Sequence, residues 1–121
     1  MQTPDAEADA DPMTSEGIFV FTSAAPPVLV GDAVNVTGTA TEFFDMTEIN
    51  VSVSNIIVGA SGLPLPAPIV LTTSILDASG TTGQLERFEG MRLHADALRS
   101  VAPTNAFGET FSVLEGVSRP F

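Results

Sequence analysis

Apolar and polar positions alternate most clearly along residues 28–44. Val34, Val36, Gly38 and Ala40 interleave with Asn35, Thr37, Thr39 and Thr41, the period of two of a strand with one apolar and one polar face. A Gly31-Asp32 turn leads into this strand, and Gly38 at an inward position predicts a kink or bulge, the device by which one strand curls into a small barrel. After a turn at residues 44–47, the alternation resumes through Ile49, Val51 and Val53. It shifts phase at Ser54-Asn55, before Ile56 and Val58 or Ile57, which predicts a second bulge. Two long antiparallel strands joined by a short turn are the unit around which the chain is organised.

The remaining segments supply partners to that unit. Residues 17–22 are a compact run of β-formers closed by Pro26-Pro27. Residues 59–68 form a Gly/Pro connector, and 69–71 a short strand. Residues 74–78 offer one helical turn, ended by Gly80 and Gly83. Residues 84–90 predict the one helix: Thr82 caps it, Leu85 and Phe88 share a face, and Gly90 ends it. Period two returns over residues 91–101 and a last strand over 111–117. The expected fold is all-β, an OB-like small antiparallel barrel or partly open sheet with one short helix. It divides into an acidic loop or frayed end over 1–16, OB-like strands over 17–58, and the connector, helix and further strands of the same domain over 59–121.

Charge narrows the range of partners. The 121 residues carry 15 acidic side chains against four basic ones, all Arg, for a net charge of -11. Eleven carboxylates and no base lie in residues 1–86, while Arg87, Arg92, Arg99 and Arg119 are confined to the remainder. Affinity for polyanions comes mainly from Lys and Arg displacing counterions, so this chain is expected to bind nucleic acid weakly. There is no cysteine, which excludes disulfides and thiolate metal sites. The longest apolar region, 56–71, is broken by Gly59, Gly62, Pro64, Pro66 and Pro68 and cannot be a membrane helix. No signal peptide is visible.

Four groups of residues together resemble a known family. They are Asp11-Pro-Met-Thr-Ser-Glu-Gly-Ile-Phe-Val-Phe, Val30-Gly-Asp-Ala-Val-Asn-Val-Thr-Gly, Glu42-Phe with Thr47-Glu-Ile49, and the segments Glu86-Arg-Phe-Glu-Gly-Met91 and Glu115-Gly-Val-Ser-Arg-Pro-Phe121. They are similar to the oligonucleotide/oligosaccharide-binding (OB) domain of large secreted bacterial nucleases and to the segment that joins it to a catalytic domain of the endonuclease/exonuclease/phosphatase type. The resemblance makes residues 17–22 the third barrel strand, 33–43 the fourth and 47–58 the fifth. It implies that the first strand and most of the second are missing, that the catalytic residues lie in an absent neighbouring domain, and that the parent protein is extracellular or periplasmic.

Candidate chemistry follows from residue types. His94, the single histidine, sits in a strand pattern with no partner visible in the sequence and reads as a surface residue rather than a general base. Asp5, Glu7, Asp9 and Asp11 alternate, and Glu16 falls where the last ligand of a twelve-residue calcium loop counted from Asp5 would lie. Ala10, however, replaces the turn glycine and no helices flank the loop. The bland alternative is a solvated acidic loop. OB folds bind single strands on aromatic platforms, and the candidates here are Phe19, Phe21, Phe43, Phe44 and Phe107, with Arg87, Arg92 and Arg99 as phosphate contacts. A strand Phe serves a core equally well, but Phe43 and Phe44, adjacent at a turn, do not both point inward easily.

The sequence therefore predicts a non-catalytic accessory domain that positions or weakly binds nucleic acid for a neighbouring nuclease domain. The rival is a structural or calcium-stabilised spacer module of a multidomain extracellular protein. Missing strands also predict an open sheet edge at 17–22 or its neighbour, hence self-association.

Overall fold

The computed structural model describes residues 1–77 and 79–118. Arg119 and the end of the Glu115–Phe121 motif lie outside the described residues, as does Ala78 at the end of the expected helical turn. The architecture is all-β with four small open sheets and, among the described residues, no closed barrel. Its centre is the expected long hairpin, but each arm is broken in two. The first arm is β1's successor in the chain: with β1 at Phe19–Phe21, it comprises β2 (Val34–Val36) and β3 (Thr39–Phe43). The second comprises β4 (Met46–Asn50) and β5 (Ile56–Val58). β3 pairs with β4 from Phe43↔Met46 to Thr39↔Asn50, and β2 pairs with β5 from Val36↔Ile56 to Val34↔Val58.

Both breaks lie where the sequence pattern faltered. Between the ladders the first arm has residues 37–38 and the second has 51–55, three more. The surplus is taken up by the 3-10 turn Val53–Asn55. A Cβ on Gly38 would stand 2.5 Å from the Asn50 carbonyl oxygen and 2.6 Å from Ile49 Cγ2, so only glycine lets the first arm cross so close to the second. Strands that change sheets at such a corner replace the continuous curl of a closed barrel. The turn before β2 is built as expected: Gly31 takes φ +92, and Asp32 accepts the Leu29 N–H at 2.8 Å. Hydrogen bonds from the Ser61 side chain and the Leu29 backbone hold the Asp32 carboxyl below the usual carboxylate range.

The expected antiparallel arrangement needs correction in two places. β1 lies parallel to β4, with Phe19↔Glu48 and Phe21↔Asn50, giving the strand order β1-β4-β3. The chain reverses over residues 22–33, so the second arm of the hairpin, running the same way as β1, becomes its neighbour. The start of β1 has a second partner. Thr3 N–H donates to Glu16 C=O, Ile18 N–H to Met1 C=O, and the Met1 amine to Ile18 C=O, around an antiparallel bridge Gln2↔Gly17.

The second parallel pair joins β6 (Ile69–Val70) to β7 (Leu93–His94), and β8 (Leu98–Ser100) pairs antiparallel with β9 (Ser112–Leu114). The period-two run 91–101 is thus divided between two sheets. The helix runs Thr82–Phe88, is 3-10 throughout, and begins after Thr81 with no side-chain cap, so the expected Thr82 cap is corrected. Gly90 does follow it with φ +68. The core is thin: Val51 and Leu114 are the buried apolar residues among those described, and Glu48 is the buried charged one. The chain exposes 8604 Å², where a folded monomer of 12.5 kDa exposes about 6,200 Å². Among the described residues, no helix is long and apolar enough to cross a membrane.

Candidate nucleic-acid interface

The β3–β4 hairpin closes through a two-residue turn, Phe44-Asp45, flanked by the pair Phe43↔Met46. Both turn residues are left-handed, Phe44 at φ 51 and Asp45 at φ 61, the type I′ geometry whose twist matches the strands it joins. That position normally belongs to Asn-Gly. A side chain with a Cβ costs about 1–2 kcal/mol there, and a bulky aromatic is an outlier. The turn lifts Phe44 into water at 90% exposure, with Phe43 at 56% beside it. Their rings meet edge to face, 4.7 Å between centroids and 86° between planes. Behind the tip, Thr47 Oγ1 donates to Glu42 Oε1 at 2.6 Å and braces the two strands. The result is an exposed aromatic pair on a short turn, the kind of surface on which a nucleobase stacks.

Phe19 and Phe21 are brought onto the same face of the sheet as Phe43. The registers place Phe19, Glu48 and Thr41 in one row, Phe21, Asn50 and Thr39 in the next, and Met46 with Phe43 at the turn. Phe19 and Phe21 are about half exposed, so the strand phenylalanines are not absorbed into a core. Phe107 is separate, in the loop between β8 and β9. The three arginines are dispersed and engaged. Arg87 lies over the Phe88 ring at 4.6 Å, Arg92 donates to the Pro66 carbonyl at 3.0 Å, and Arg99 is paired with Glu115 at 2.9 Å. None sits on the aromatic hairpin. A half-open groove of about 780 Å³ runs between residues 1–4, Ile18, 30–34, 63–66 and 90–92, and none of the candidate phenylalanines lines it.

The acidic loop is organised by internal hydrogen bonds. Glu16 Oε1 accepts Asp9 N–H at 2.7 Å, Asp9 accepts Asp11 N–H and the Thr14 hydroxyl, and the Asp5 carboxylate turns to Ala67 N–H. Among the described residues no group of three or more His, Asp or Glu is placed to hold a metal ion, and Asp5, Glu7, Asp9, Asp11 and Glu16 do not converge. His94 acquires a partner the sequence did not disclose, Asp96 at 3.1 Å, and both are exposed.

A contact missed in the sequence holds the aromatic sheet in place. Beyond the helix, Glu89 Oε1 accepts Thr47 N–H at 3.0 Å, continuing the β1–β4 ladder where β1 gives out. The Glu89 carbonyl accepts the Ser15 hydroxyl. Gly90 then lies against Gly17 so closely that a Cβ on Gly17 would stand 2.3 Å from the Gly90 carbonyl carbon. Gly90 was legible as a helix terminator, but its packing partner lies 73 positions away and leaves no local signal. Comparison with known proteins found no matching family model, curated protein or solved structure.

Proposed function

We propose that this chain is a non-catalytic, OB-like accessory module of an exported nuclease, and that it engages single-stranded nucleic acid weakly through Phe44 and Phe43 for a neighbouring catalytic domain. The observation that carries the reading is the aromatic hairpin tip, where backbone strain is accepted to hold Phe44 in water. In the strand numbering implied by the resemblance, this turn joins the fourth and fifth strands, the loop with which OB folds contact oligonucleotides. A strand inserted between non-consecutive neighbours, here β4 between β1 and β3, also suits a Greek-key barrel left open. The net charge of -11 sets the strength: repulsion from phosphates leaves stacking as the main attraction.

Fluorescence anisotropy with a labelled single-stranded oligonucleotide at physiological salt tests this. Dissociation constants of about 10⁻⁴ to 10⁻⁶ M are expected, rising about 5- to 150-fold in Phe44→Ala, the equivalent of one stacked base at 1–3 kcal/mol. Equal affinity in the variant would refute the assignment. The same protein, incubated with DNA and RNA in magnesium, manganese and calcium, should leave them intact. Cleavage that co-purifies with the chain would overturn the non-catalytic part of the proposal.

A further inference from the structure

The outer margin of β3 is open, with a single charge along it. All five residues of Thr39–Phe43 are exposed, and β3 has a neighbour on one side only among the described residues. The two-residue turn makes Phe43 and Met46 a hydrogen-bonded pair. By alternation Thr39, Thr41 and Phe43 direct their N–H and C=O groups to β4, while Ala40 and Glu42 direct theirs outward. Natural edges are protected by charged side chains, Pro or a bulge; between Thr39 and Phe43 there is one charge, Glu42, and no Lys or Pro.

We propose that β3 pairs with β3 of a second copy, antiparallel about a two-fold axis at Thr41, to make one six-stranded sheet. This register pairs all five residues of the strand. Ala40 and Glu42 exchange their outward hydrogen bonds with Glu42 and Ala40 of the second copy, and the two Thr41 side chains meet. Centring on Glu42 instead would set two carboxylates face to face, and centring on Ala40 would carry Phe43 past the end of the partner strand. Phe44 lies beyond the paired segment, so the dimer does not depend on the nucleic-acid reading. Each copy carries -11, and salt screens that repulsion within a Debye length of about 10 Å at 0.1 M, so pairing strengthens with ionic strength.

Sedimentation velocity of the full chain at low and high salt tests this, beside Ala40→Pro, which removes an outward N–H, and Thr41→Glu, which opposes two carboxylates at the axis. The expected result is a doubling of mass that grows with salt in the parent and is lost in both variants. Circular dichroism checks that the variants fold, and Thr41→Glu, an exposed substitution that keeps every backbone donor, decides the matter if the proline variant does not. A monomer at both salts, or a dimer undiminished in Thr41→Glu, would overturn the pairing.

Discussion

Gly17→Ala is expected to be among the most damaging small substitutions in the chain, costing about 3 kcal/mol, the upper part of the usual range for overpacking. Its Cβ would meet the Gly90 carbonyl carbon at 2.3 Å and the Met91 nitrogen at 2.5 Å, backbone atoms that no rotamer change can move aside. Gly90→Ala should cost a similar amount, about 2–4 kcal/mol, because it adds a left-handed penalty at φ +68 to a contact of 2.7 Å with the Ile18 nitrogen. Gly108 is the control: at φ +83 it has nothing within 4 Å of a Cβ, so Gly108→Ala carries the conformational cost alone, about 1–2 kcal/mol. Urea unfolding of the three variants separates packing from backbone strain. If Gly17→Ala unfolds at the same midpoint as Gly108→Ala, the glycine contact does not organise the sheet.

The second large effect has opposite signs in stability and in binding. Replacing the turn by Phe44→Asn with Asp45→Gly substitutes residues suited to two left-handed positions. Relief of about 1–2 kcal/mol at the backbone is partly offset by the lost ring contact with Phe43, about 0.5–1.5 kcal/mol. Little burial is lost, since Phe44 is almost wholly exposed. The net gain of roughly 0.5–1 kcal/mol should raise the melting temperature by about 2–5 °C, while the affinity for single-stranded DNA falls at least as far as in Phe44→Ala. A melting temperature that drops would show that the turn is not strained, and undiminished binding would remove Phe44 from the interface.

The hairpin was legible because its signals are local. Alternation defined both arms, the inward Gly38 marked the break in the first, and the phase shift at Ser54-Asn55 marked the break in the second. Adjacent Phe43 and Phe44 at a turn implied an exposed ring, and both rings proved to be out. What was illegible depends on partners distant in sequence. The parallel placement of β1 follows from a reversal through residues 22–33 that no periodicity encodes. The division of 91–101 between two sheets and the docking of Glu89 and Gly90 are likewise tertiary. The internal order of the acidic loop was equally illegible: the carboxylates of Asp9 and Glu16 accept backbone N–H groups of their own segment, a choice among local partners that alternating charge does not encode.

The bond from Thr47 N–H to Glu89 Oε1 has a consequence for the order in which the chain assembles. It joins residues 42 apart, and the Ser15 bond to the same residue joins residues 74 apart, whereas the β3–β4 ladder zips outward from a two-residue turn. Closing the long loops costs chain entropy before any contact returns it, so the hairpin forms early and β1 and the segment after the helix arrive late. The first backbone donor of β4 to face β1 is then satisfied by a side chain rather than by a strand. Seating of the Glu89 carboxylate is therefore expected to follow formation of the hairpin, and its loss to free that end of the parallel ladder.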